Sequence, residues 1–154
     1  MRFRWLLAIA LSFCCRSALP QAMPDNSGSE YFQTIRCGAL IDSKVQPAGI
    51  ALYLDLKVKK PLPAKSVVVA EFENPLRRSA PFQVVSNPVS GKQEIALSSQ
   101  GIACLTAGKY YRSIVTLFSD ASRSKVLGTH VQIIAVSVPQ STLGTFNVLP
   151  CPVD

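Results

Sequence analysis

The sequence predicts an all-β domain: a two-sheet antiparallel sandwich of about seven strands. Three observations predict it. Segments of strand length, apolar or β-branched, recur between residues 31 and 138. Turns rich in Pro, Gly, Asn and Ser separate them. No segment shows sustained helical spacing with caps, so no crossover helix is available to build a parallel sheet.

The first strand is expected over Tyr31 to Ile41. The second, Ile50 to Val58, is the clearest. Ile50, Leu52, Leu54, Leu56 and Val58 fall on one face, and Ala51, Tyr53, Asp55 and Lys57 on the other. That alternation belongs to a strand with one buried and one wet face. Lys59, Lys60, Pro61 and Pro63 end it, since proline donates nothing to a ladder. Ser66 to Glu73 follows, rich in valine and stopped by Asn74-Pro75. Phe82 to Ser86 ends at Asn87-Pro88, and Glu94 to Leu97 comes after the turn Ser90-Gly91. Tyr110 to Phe118 and Val126 to Val138 form the last pair, a hairpin whose long turn contains Asp120 and Arg123.

One local pattern sharpens the fold. Leu105, Gly108, Tyr110 and Tyr111 precede the penultimate strand. The pattern resembles the tyrosine corner of immunoglobulin-like and fibronectin type III domains. The resemblance implies an immunoglobulin-like sandwich in which Tyr110 or Tyr111 returns its hydroxyl to the backbone of the turn. The buried tryptophan of antibody domains has no counterpart, because the single tryptophan, Trp5, lies near the N-terminus.

That N-terminus has the pattern of a signal peptide. Arg2 and Arg4 supply the positive start, and Trp5 to Cys15 is an apolar or small-residue run too short to span a bilayer. Cleavage is expected after Ser17 or Ala22, with Ala22 preferred. The organisation follows: signal peptide 1–22, flexible leader 23–30, sandwich 31–138 and C-terminal tail 139–154. Cleavage at Ala22 removes Arg2, Arg4 and Arg16 and no acid, so the formal charge falls from +7 to +4. That is short of the dense basic stripe of a nucleic-acid binder, so no nucleic acid is expected as partner. It does bias the chain toward anionic surfaces.

Secretion changes what the cysteines mean. Cys14 and Cys15 leave with the signal, and Cys37, Cys104 and Cys151 remain. One pair is expected in an oxidising compartment. Three pairings can form, with Cys104–Cys151 favoured because a tail from Pro139 has little else to hold it. The odd cysteine is expected as a buried thiol or as a link to a partner chain.

Catalytic chemistry finds little support. The one histidine, His130, shares a strand face with Gly128 and Gln132, opposite Val131 and Ile133, and is expected on an exposed polar face. With one histidine, a zinc site built on several histidines is excluded, and no Gly-x-Ser-x-Gly elbow exists. Glu71 and Glu73 share a face but are read as solvated edge charges. No catalytic, cofactor or metal residues are assigned. No Asn-x-Ser/Thr sequon is open to glycosylation, because Asn74 and Asn87 precede proline and the others lack the hydroxyl residue.

The remaining candidates are interaction residues. Lys59 and Lys60, with Lys57 and Lys65, gather at the end of the second strand, and Arg77 and Arg78 sit in the loop Asn74 to Pro81. Asp120 and Arg123 occupy the last hairpin loop. Cys37-Gly38 and Gly101-Ile102-Ala103-Cys104 are faintly similar to the ML lipid-recognition family, which holds a lipid between its sheets. That family's further strand pair and cysteine set are missing. The layout as a whole is similar to small secreted effector proteins of plant-associated fungi, a likeness that extends to Gly128-Thr129-His130-Val131-Gln132. The leading expectation is an extracellular, non-enzymatic protein that recognises a host or cell-surface protein, as an effector or virulence factor does. The alternative is a carrier of a lipid or other apolar ligand.

Overall fold

A computed structural model of the chain describes residues 29–42, 49–86 and 89–152. The expected signal peptide, most of the leader and the turn at Asn87-Pro88 lie outside these residues. The fold is the all-β, two-sheet antiparallel sandwich of seven strands that the patterning predicts. Its strands are β1 (Phe32–Asp42), β2 (Gly49–Val58), β3 (Val67–Phe72), β4 (Phe82–Ser86), β5 (Glu94–Ser98), β6 (Tyr110–Phe118) and β7 (Val126–Ala135). One sheet has the order β1-β2-β5 and the other β4-β3-β6-β7, with every pairing antiparallel.

The core lies between the sheets. Leu52, Leu54 and Leu56 of β2 face Val68, Ala70 and Phe72 of β3 and Val115 and Leu117 of β6 across it, all nearly devoid of solvent contact. Alternation on β2 thus buries the face that its sequence marks as apolar. Burial of this kind contributes about 1.5–3 kcal/mol per large side chain.

Strand register sets the two ends of the sandwich. Phe32, the start of β1, lies opposite Val58, the end of β2. Lys57 lies opposite Glu94, the start of β5. Val67, the start of β3, lies opposite Phe118, the end of β6, which lies opposite Val126, the start of β7. Residues 29–31, the β2–β3 link, the β4–β5 turn and the β6–β7 loop therefore share one end. The β3–β4 loop, the approach to β6 and the C-terminal segment share the other.

Three expectations change. First, β3 lies between β4 and β6, so Glu71 and Glu73 are not edge charges. Both are half-buried; Glu71 Oε1 accepts from Gln83 Nε2 at 2.7 Å, and Glu73 Oε2 accepts from the Arg112 N–H at 2.9 Å. Second, residues 140–145 form a short helix, α1 (Gln140–Thr145), where helix was not expected. Leu143 from α1 and Val148 beyond it enter the core, so the tail has more to hold it than its disulfide. Third, His130 is 4% exposed and faces inward. The faces of β7 divide as the pattern says, but the His130–Gln132–Ile134 side is the buried one. The edges β1 and β7 of opposite sheets approach there, and the seam between them is polar.

Candidate functional site

Thr34 of β1 reaches both residues of that seam. Its hydroxyl donates to Gln132 Oε1 at 2.7 Å and lies 2.8 Å from His130 Nε2. Gln132 Nε2 donates in turn to the Ile133 carbonyl at 2.8 Å. A hydroxyl has one proton, so His130 must supply the proton of its own bond from Nε2. Nδ1 is then a bare acceptor, buried and with no hydrogen-bond partner among the described residues. Burial lowers the pKa of His130 below its ordinary 6.5, and the nearby charge of Lys59 lowers it further. The imidazole is neutral at pH 7 and knits the two sheets.

The corner is built on Tyr111. Its hydroxyl accepts from the Thr106 N–H at 3.0 Å across the turn. Gly108 adopts φ +75° in that turn, which a residue with a Cβ enters only with strain. Tyr110, the other corner candidate, points outward and is 63% exposed. The favoured bridge, Cys104–Cys151, forms beside this turn and closes a sequence separation of 47 residues. Cys151 N–H also donates to Thr106 Oγ1 at 3.1 Å, and the Leu105 N–H donates to the Leu149 carbonyl at 3.0 Å. Cys37 is buried in β1, apart from the bridge.

Arg77 and Arg78 stand at this same pinned end. Asn74 organises their loop: its Oδ1 accepts from the Leu76 and Arg77 N–H groups, and its Nδ2 donates to the Ala80 carbonyl. Such side-chain mimicry of a turn is what favours asparagine there. Leu76, between Asn74 and the arginines, is 57% exposed. Below the loop lies an open concavity of about 320 Å³ lined by Glu71, Glu73, Arg78, Pro81, Arg112 and Ile114. Leu76, Tyr110 and Leu149 are large apolar side chains left in solvent around this end.

Lys59, Lys60, Asp120 and Arg123 stand at the opposite end, so the candidate residues do not form one surface. Lys59 Nζ donates to the Ser29 carbonyl at 3.0 Å. Lys60 pairs with Glu30 at 2.8 Å and lies 4.2 Å from the centre of the Tyr31 ring. Each partner favours the other's charged form, lowering the pKa of Glu30 and raising that of Lys60. Asp120 accepts from Ser119 Oγ, the Ser122 N–H and Ser122 Oγ, and these bonds hold its pKa below the ordinary carboxylate value. It shapes its own loop, a structural duty that leaves few lone pairs for a partner. A second concavity, of about 410 Å³, opens here between Lys57, Lys59, Lys60 and Lys92. Lys92 escaped the sequence reading because it lies far along the chain, and only the β4–β5 turn brings it to the others.

No helix among the described residues is long and apolar enough to cross a membrane. No family model matches the chain, and neither a curated protein nor a solved structure matches it.

Proposed function

We propose that this protein is a secreted, non-enzymatic recognition module that binds a protein partner through its pinned end. The observation that carries the reading is the pre-ordered loop Asn74 to Pro81, which presents Leu76, Arg77 and Arg78 at the same end as exposed Tyr110. Tyrosine and arginine are the residues that protein interfaces favour, and apolar anchors beside them supply the buried centre. A loop already held in shape loses less entropy on docking. The signal-like N-terminus and the Cys104–Cys151 bridge support an extracellular setting. The strand order and the Tyr111 corner support kinship with the immunoglobulin-like and fibronectin type III sandwiches. An effector-type role against a host or cell-surface protein fits this architecture.

The lipid-carrier reading finds less support. It calls for an apolar space between the sheets, whereas the facing side chains there are almost entirely buried against one another. The two concavities described above lie outside the core and are lined by charged groups.

The test is capture of a partner by the secreted protein, followed by titration of the purified partner. Replacing Arg77 and Arg78 together by alanine is expected to weaken binding about tenfold or more. Unchanged affinity would remove the loop from the interface.

A further inference from the structure

We infer that the lysine end is a separate binding site for an acidic linear polysaccharide, independent of the protein-binding loop at the opposite end. The site is the concavity in which Lys57 and Lys59–Lys60 from the end of β2 meet Lys92 from the β4–β5 turn, with Glu94 the one acid among its described lining residues. Lys65 lies close enough to Asp120 to act on its charge, which extends the basic surface toward the β6–β7 loop.

The choice of ligand follows from the side chains. Protein interfaces deplete lysine, so a lysine-lined hollow is a poor protein-binding centre. Ammonium groups are compact, hydrated point charges, suited to separate sulfates or carboxylates spaced along a chain. Single-stranded nucleic acid calls for aromatic platforms, but Tyr31, the aromatic beside this hollow, already carries Lys60 on its ring. The exposed large apolar side chains toward this end, Val126, Val85 and Ile35, are scattered over three strands, which is a poor wedge for a bilayer. The hollow is also partly preset. Ser29 holds Lys59, and Glu30 with Tyr31 holds Lys60, so two flexible stems are ordered before any ligand arrives.

Glu30 gives the inference a signature of its own. Its carboxylate occupies Lys60 in the absence of ligand, so it competes with an incoming anion. Removing that charge should tighten binding, while removing lysine charge should loosen it.

The experiment titrates the protein, as recovered from the medium of a secreting host, with a size-defined heparin oligosaccharide. Affinity is expected to fall about tenfold or more from low to physiological salt. Lys57→Ala with Lys92→Ala should weaken it about fivefold or more, and Glu30→Gln should strengthen it about twofold. Arg77→Ala with Arg78→Ala should leave it unchanged, which separates this site from the loop of the proposed function. Thermal melts of each variant establish folding, and the gain from Glu30→Gln does not depend on the lysine variants folding. The inference is overturned by any of four results: no binding at low salt, equal loss in the arginine variant, weaker binding by Glu30→Gln, or equal affinity for polyglutamate, a single-stranded oligonucleotide or anionic vesicles.

Discussion

At the pinned end, loops are tied to the core from several directions. Tyr111 returns its hydroxyl to Thr106, Cys104 is bridged to Cys151, and Leu143 plugs the base of the sandwich. At the lysine end, Leu62 and Val89 enter the core and backbone bonds such as the Lys59 N–H to the Tyr31 carbonyl tie the segments, but the charged side chains of Lys57, Lys59 and Lys92 stay exposed. Solvent-exposed ion pairs such as Lys60 with Glu30 contribute little to stability. The contrast is that the lysine charges lie outside the contacts that hold their own end of the fold. Changes to the Tyr111 corner, the Cys104–Cys151 bridge or Leu143 should cost stability. Changes to the exposed lysines should alter what the surface attracts and leave the melting temperature nearly alone.

The largest expected effect breaks the pinned end outright. Replacing Cys104 and Cys151 by serine releases a separation of 47 residues, for which loop-closure entropy gives about 4 kcal/mol. A denaturant titration measures it, and the loss should fall toward about 2 kcal/mol to the extent that Leu143 and Val148 hold the tail alone. Next comes Leu143→Ala, which empties a fully buried site and should destabilise by about 2–4 kcal/mol in the same titration. Tyr111→Phe removes one oxygen and leaves the Thr106 N–H without its acceptor, an expected loss of about 1–3 kcal/mol.

The seam sharpens the comparison through pH. His130 is neutral when folded and its pKa is lowered, so the unfolded chain binds the proton more readily. Its contribution is fully present above the ordinary value of 6.5 and is lost as pH falls through the lower folded value. Melting temperature should therefore decline below about pH 6.5, and the decline should be shallower in His130→Gln. An identical slope in that variant would assign the acid sensitivity elsewhere. The smallest stability effect is expected from Lys57→Ala with Lys92→Ala, within about 0.5 kcal/mol by thermal melt.

Much of the fold was legible because each strand carries its own signal. The run Leu52, Leu54, Leu56 declares both a strand and its buried face without help from distant residues. Gly108 followed by Tyr110 and Tyr111 announced the corner, because a positive φ and a nearby tyrosine are local requirements, and the structure gives the role to Tyr111. The inward turn of His130 was not legible. Alternation says that His130 and Gln132 share a face, but both faces of β7 mix polar and apolar residues. Thr34, 96 positions away from His130, is what makes the polar face tolerable inside. The role of Glu71 was missed for a related reason, since a strand does not announce its place in the sheet order. Tyr110 and Leu76 were missed as surface features because exposure depends on what packs over them.

The sequence by itself determined the strand segments, their turns, the corner and which cysteines were available to pair. These follow from steric and periodic properties of neighbouring residues. Tertiary structure alone decided that Cys104 meets Cys151 while Cys37 stays in the core, that His130 is sealed between β1 and β7, and that Lys92 joins Lys57 and Lys60 while Arg77 and Arg78 stand at the other end. Those outcomes depend on how two sheets stack and which loops they bring to each end, and contacts between residues remote in the chain leave no period in the sequence to be read.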